Sequence, residues 1–211
     1  MIQEILNALN WRYATQVFDT EKRVSPEEMR AILEAARLAP SSFGIEPWKF
    51  LVIENPEVRA KLREVGFGQP KITDASHLVV VARRTDVREH ITQELIERCA
   101  KQQGVDPSKL DGLKNMVEGS LAARSDAEVD TWVRSQTYIP LGIMIETAAL
   151  LGIDAGPMEG FMPAGVDEVL GLKEKNLTAT SMIAFGYRGE DSAAKRPKVR
   201  RPFEEVVEFV K

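Results

Sequence analysis

The stretch Ile139-Pro140-Leu141-Gly142-Ile143-Met144-Ile145-Glu146-Thr147-Ala148-Ala149-Leu150-Leu151-Gly152-Ile153 decides the fold. Nearly every position in it is apolar, so it reads as helix buried all round rather than along one stripe. Upstream, Val129, Trp132 and Val133 lead into the same pattern, and one helix is expected from Asp126 to Leu151, kinked where Pro140 removes a backbone donor. So apolar a helix, in a chain of 211 residues, either forms the centre of the domain or is shared with a second subunit. Its periodicity leaves both open.

Working outward, Ser25-Pro26-Glu27-Glu28 combines an N-cap serine, proline at the first helical position and a capping-box glutamate. Met29, Ile32, Leu33 and Ala36 follow at helical spacing, and Pro40 forces the helix to end by Leu38 to Pro40. Strands are expected at Trp48–Glu54, His77–Arg83 and Leu177–Tyr187, with a short helix between Asn55-Pro56 and Gly66. Helices are expected over Asp86–Gln103 and, more loosely, Ser108–Arg124. Strands interspersed with helices, without clean βαβ units, give an α+β fold of helices on a small sheet. No linker or repeat divides the chain, so residues 1–211 read as a single domain.

Composition removes several function classes. With 44% apolar and 28% charged residues the chain is ordinary globular protein, and a net charge of −4 argues against a nucleic-acid partner. One cysteine, Cys99, and two histidines, His77 and His90, are too few for a structural zinc site, and no metal is expected. The lone cysteine and the absence of a signal-like N-terminus point to the cytoplasm, with no membrane association. There is no phosphate loop and no nucleophile elbow, and Gly66-Phe67-Gly68 lacks the third glycine and the strand-to-helix context of a dinucleotide fingerprint.

The remaining signal lies in polar segments at element ends. Lys195-Arg196-Pro197-Lys198-Val199-Arg200-Arg201-Pro202 puts five cations into seven residues of an acidic protein. It is either a solvated tail or a phosphate grip in which alternation brings Lys198 and Arg200 to one side, with Arg12 as a third cation. Asp154-Ala155-Gly156-Pro157-Met158-Glu159-Gly160-Phe161 reads as a turn whose glycines let backbone approach a ligand. Lys71, in Gly68-Gln69-Pro70-Lys71-Ile72, adds one more cation.

Taken together, these segments resemble the FMN-dependent nitroreductase family, in its oxygen-insensitive NAD(P)H nitroreductase and dihydropteridine reductase branch. The carriers are Arg12-Tyr13-Ala14-Thr15-Gln16-Val17-Phe18, Ala39-Pro40-Ser41-Ser42-Phe43-Gly44-Ile45-Glu46-Pro47-Trp48-Lys49-Phe50, Asp74-Ala75-Ser76-His77, Gly156-Pro157-Met158-Glu159-Gly160-Phe161 and Pro197-Lys198-Val199-Arg200. The resemblance covers nearly the whole chain. It implies helices packed on a small central mixed sheet in an intertwined homodimer, with two FMN sites at the interface. It also implies a lid-like helical excursion at about 103–124 and a C-terminal tail, 190–211, wrapping the partner.

By position in that pattern, Arg12, Lys198 and Arg200 would bind the FMN phosphate, with Tyr13, Ala14 and Gln16 beside them. Pro40, Ser41, Ser42 and Gly44 would line the site from the other subunit, and Gln69 and Lys71 would face the pyrimidine edge of the flavin. Pro157, Met158, Glu159 and Gly160 would cover one ring face, with the backbone N–H of Glu159 or Gly160 toward N5. NADPH or NADH would be the electron donor and a small nitroaromatic or quinone the acceptor, with Gln16 and Phe43 at the substrate rim. Close relatives often carry His-Ser in place of Tyr13-Ala14, Lys in place of Gln16, Asn at Gly44 and Gly68, and Gln at Glu46. Alternatives within the superfamily are a dihydropteridine or flavin reductase or a dehalogenase. From another class, a phosphate-anion or nucleic-acid binding module would use the basic tail.

Overall fold

A computed structural model of the chain describes residues 1–211. Local signals fix most element ends. After α1 (Ile2–Trp11), α2 (Pro26–Arg37) starts at the expected capping box: Ser25 Oγ accepts from Glu28 N, and the Glu28 carboxylate accepts from Ser25 N. Strand β1 (Trp48–Ile53) leads to α3 (Pro56–Val65), which Asn55 caps through the amides of Glu57 and Val58. A short α4 (Lys71–Asp74) precedes β2 (His77–Arg84). The helix expected from Asp86 divides into a π turn, Val87–Ile91, and α5 (Thr92–Gln103). Then come α6 (Asp111–Ala122), α7 (Asp126–Leu150), β3 (Asp154–Met158), α8 (Pro163–Leu170), β4 (Leu177–Gly186) and α9 (Phe203–Val206).

The sheet runs β1-β2-β4-β3, antiparallel at every pair. The mixed sheet expected from the resemblance is therefore corrected: the single parallel contact is a bridge between Ala14 and Ala155, outside the strand ladder. Helices cover both faces, which is why β2 and β4 read as continuous apolar runs. Val79, Val81, Ile183 and Phe185 pack under α2 and α7 against Ile32, Ala36, Met144 and Ala148. Leu78, Val80, Met182 and Ala184 pack on the opposite face against Leu62, Ile72 and Val166 of α3, α4 and α8. Each of the valine, leucine, isoleucine, methionine and phenylalanine side chains among them contributes about 1.5–3 kcal/mol by leaving water. A third cluster joins Ile45, Leu95, Val117 and Val133 away from the sheet, and it holds α6 on α5 and α7.

Within one chain, helix α7 is buried along one side rather than all round. It is one continuous helix through Pro140, and Leu141, Met144 and Ala148 are buried against the sheet. Ile139 and Leu150, on its other side, remain 38% and 51% exposed, with Gly142 and Glu146 exposed between them. Helix α1 likewise buries none of its residues, and Val199, Phe209 and Val210 of the tail stand open. No helix is long and apolar enough to cross a membrane.

Candidate functional site

Edge strand β3 organises the site. The segment Arg12–Phe18 lies along it, with Thr15 N donating to Ala155 O at 3.2 Å. Gly156 makes this approach possible: a Cβ there would stand 2.6 Å from Thr15 O. Asp154, 3% exposed at the start of β3, accepts from Thr15 Oγ1 and pairs with Arg188, whose guanidinium stacks 4.1 Å from the Trp11 ring centroid and 4.8 Å from that of Tyr13.

Around this frame the structure gathers most residues singled out in the sequence. Lys71 is 4% exposed, and its ammonium donates to Gln16 Oε1 at 3.2 Å, while Gln16 Nε2 donates to Ala14 O. Burial pushes the Lys71 pKa down, and no carboxylate lies close enough to oppose it. Gln69 Nε2 donates to Gly160 O at 2.7 Å, which fixes the turn after Met158. Glu159 pairs with Arg134 of α7 at 3.1 Å. The backbone N–H groups of Glu159 and Gly160 donate to nothing in the chain, which leaves two adjacent donors for a ligand.

Arg12, Lys198 and Arg200 meet in a cleft of about 380 Å³, and Tyr13, Ala14 and Arg196 also line it. None of the three cations has a carboxylate within 4 Å. Arg12 Nε is buried without any partner. The Lys198 ammonium donates to Leu9 O and Arg12 O at the C-terminus of α1, which favours a cation there. Burial, then the neighbouring charges of Arg12 and Arg200, push the Lys198 pKa down. Three cations that repel one another and lack acids suit an anion such as a phosphate monoester.

The second group expected at the site lies apart from the first. Within the chain, Pro40, Ser41, Ser42, Phe43 and Gly44 make no hydrogen bond to the Arg12–Phe18 segment or to Lys71. Ser42 N donates to Gln136 of α7 at 2.8 Å, Ser41 Oγ accepts from Glu46 N, and Gly44 O accepts from Arg98 of α5. Phe43 stands in the left-handed region at φ 56°, 38% exposed, edge-on to Trp132 with ring centroids 6.4 Å apart. Sequence reasoning missed the two carboxylates that hold the first group, Asp154 and Asp191. Asp191-Ser192-Ala193 is a readable cap signature, since Asp191 Oδ1 accepts from Ala193 N, but what Asp191 does across the fold leaves no local trace.

Comparison with known proteins supplies the family. The model of the nitroreductase family matches residues 9–187. A Staphylococcus haemolyticus protein provisionally named an NAD(P)H nitroreductase is 39% identical, covering 100% of this chain and 99% of its own length. YfkO of Bacillus subtilis, provisionally named likewise, is 40% identical, with 98% and 97% covered. The crystal structure of an Exiguobacterium sibiricum protein, provisionally named a nitroreductase and in complex with FMN, superimposes with a TM-score of 0.82 at 23% identity, covering 98% of this chain and 97% of its own. The chain belongs to the nitroreductase family.

Proposed function

We infer, from that membership, that the chain is an FMN-dependent NAD(P)H oxidoreductase that reduces nitroaromatics or quinones, working as a homodimer with two sites at the interface. The observation that carries this reading is the cleft of Arg12, Lys198 and Arg200, three cations without an acid, with Arg12 Nε buried and unsatisfied. A buried polar atom left unpaired costs about 1–3 kcal/mol, and a phosphate oxygen removes that cost. The relatives named for NAD(P)H use, and the FMN in the Exiguobacterium sibiricum structure, agree with it.

The rest of the first group fits the same ligand. FMN, when bound, supplies hydride transfer between a nicotinamide and an acceptor. The chain's own residues bind and orient it. Arg12, Lys198 and Arg200 would hold the phosphate, with Tyr13, Ala14 and Gln16 beside them. Lys71, steered by Gln16, would set a desolvated positive charge against the pyrimidine edge, where electrons gained by the ring carry negative charge. Gln69 would share that edge. Pro157 and Met158 would cover a ring face, and the free N–H groups of Glu159 and Gly160 would donate toward N5. No side-chain base is required.

Pro40, Ser41, Ser42, Phe43 and Gly44 would complete the site from the partner chain, with Phe43 and Gln16 at the rim of an apolar slot. The open stripe on α7, the unburied α1 and the exposed apolar end of the tail support an intertwined dimer in which Phe203 to Val210 wrap on the partner, while Asp191 and Lys198 stay bonded to their own chain. The excursion at 103–124 would serve as a lid. The test is the visible spectrum of protein supplied with FMN. A bound flavin band that bleaches on NADPH or NADH without oxygen, and returns with menadione or a nitroaromatic, supports the reading. No bound flavin overturns it.

A further inference from the structure

We infer that Asp191 is a positioning residue for the phosphate-binding segment, fixing Tyr13–Val17 and tying that segment to the root of the cationic tail. This rests on the FMN reading of the cleft. Asp191 is 8% exposed and has no lysine or arginine within ion-pair distance. Its charge is held instead by four donors. Oδ2 accepts from Tyr13 Oη at 3.0 Å, Gln16 N at 3.0 Å and Val17 N at 3.3 Å, and Oδ1 accepts from Ala193 N at 2.8 Å. Three of the four partners lie on the segment that carries Arg12, and the fourth begins the tail that carries Lys198 and Arg200.

The protonation states agree with this geometry. Burial pushes the Asp191 carboxyl up, but the bonds from Gln16, Ala193, Tyr13 and Val17 outweigh burial and hold it below the usual range. Tyr13 is pushed up to about 12, first by burial and then by its bond to Asp191, so it stays a donor. Both carboxylate oxygens accept backbone N–H groups. An amide turned with its oxygen to Tyr13, Gln16 and Val17 keeps those three bonds and sets its NH₂ against Ala193 N alone, so Asp191→Ala is the change that removes the clasp.

Two consequences follow for the site. Gln16, whose side chain meets Lys71, loses the acceptor of its own backbone N–H when Asp191→Ala removes the carboxylate. Asp154 still anchors Thr15 and Arg188 independently, so the segment should loosen rather than detach. The energetic effect belongs to the phosphate end of the ligand. A ligand that lacks the phosphate should not register it.

The experiment compares wild type, Asp191→Ala and Tyr13→Phe, the last removing one bond and keeping the fold if the first variant fails to fold. Amide hydrogen exchange of the flavin-free proteins is read at Gln16 and Val17 against the β2 amides. Binding of FMN and of riboflavin, which lacks the phosphate, is read by flavin fluorescence. The expected result is exchange at Gln16 and Val17 about tenfold faster in Asp191→Ala with β2 unchanged. FMN affinity should fall about tenfold and riboflavin affinity stay level, with Tyr13→Phe intermediate. Unchanged exchange at the two amides, or equal loss of FMN and riboflavin, overturns the inference. If wild type binds no FMN, the flavin reading falls and this inference with it. If wild type binds FMN and the variants bind it equally well, only the role of Asp191 falls.

Discussion

The two groups of residues expected to surround one ligand are built by opposite means. The group on β3 is clasped from within its own chain: Asp154 holds Thr15, Asp191 holds Tyr13 and two amides, and Gly156 admits Thr15 O against the strand. The Pro40–Gly44 group is a loop with Phe43 at positive φ, followed by Glu46 likewise, and it is propped by Gln136 and Arg98 from helices outside the sheet. The first offers cations and free N–H groups, and the second offers hydroxyls and one aromatic ring. The lesson is a division of labour: the cations and free N–H groups are fixed by hydrogen bonds within the fold, and the Pro40–Gly44 loop makes no hydrogen bond to that group.

The largest expected effect breaks the first group. Arg12→Ala with Arg200→Ala should lower FMN affinity about a hundredfold or more, since each charge-assisted bond contributes about 1.5–3 kcal/mol. The melting temperature of the flavin-free protein should hold or rise, because mutual repulsion is relieved. Lys198→Ala should differ from that pair by also lowering the melting temperature, since Lys198 satisfies Leu9 O and Arg12 O at the end of α1. Calorimetry beside flavin titration separates the two outcomes. Next, truncation after Gly189 removes Asp191, both tail cations and the exposed apolar tail together. Light scattering should show dissociation, with flavin lost.

Lys71→Met should act on chemistry more than on retention. Flavin should remain bound while its reduction by NAD(P)H slows about tenfold or more. The flavin-free protein supplies a second readout. The folded-state pKa of Lys71 lies below the ordinary lysine value near 10.4, so in that interval the unfolded chain binds more protons than the folded one. Wild-type stability should therefore gain a rising component from Lys71 as pH increases toward that value, and Lys71→Met should lack it. The smallest effect concerns the loop: Phe43→Ala should raise the KM for aromatic acceptors a few-fold without changing flavin content. Loss of flavin from this variant would move Phe43 from the rim into the cofactor's own support.

Much of the fold was legible because it rests on local signals. The Ser25 capping box, the Asn55 cap and the apolar runs of β1, β2 and β4 each specify their element over a few residues. Strand β3 was not legible, because Gly156 and Pro157 carry the composition of a turn. Glycine stands there for the close approach of Thr15 O, and the proline is tolerated on an edge strand. Helix α7 was legible only in part: its composition gives no stripe, while the chain itself covers one side and leaves Ile139 and Leu150 exposed. At the site, the cations and glycines announced themselves by type and order. Asp154 and Asp191 did not, since an isolated aspartate gives no sign of partners that lie more than a hundred residues away along the chain.

Whether the two groups meet only across a subunit interface can be tested by complementation. Chains carrying Arg12→Ala and Arg200→Ala are co-expressed with chains carrying Ser42→Trp under two affinity tags, and the mixed dimer is isolated. In such a dimer one site inherits every lesion and the other none. The expected result is about one FMN per mixed dimer, with reductase activity, while neither parent dimer retains flavin. A mixed dimer as empty as its parents would mean that each site lies within one chain, contradicting a site shared between subunits.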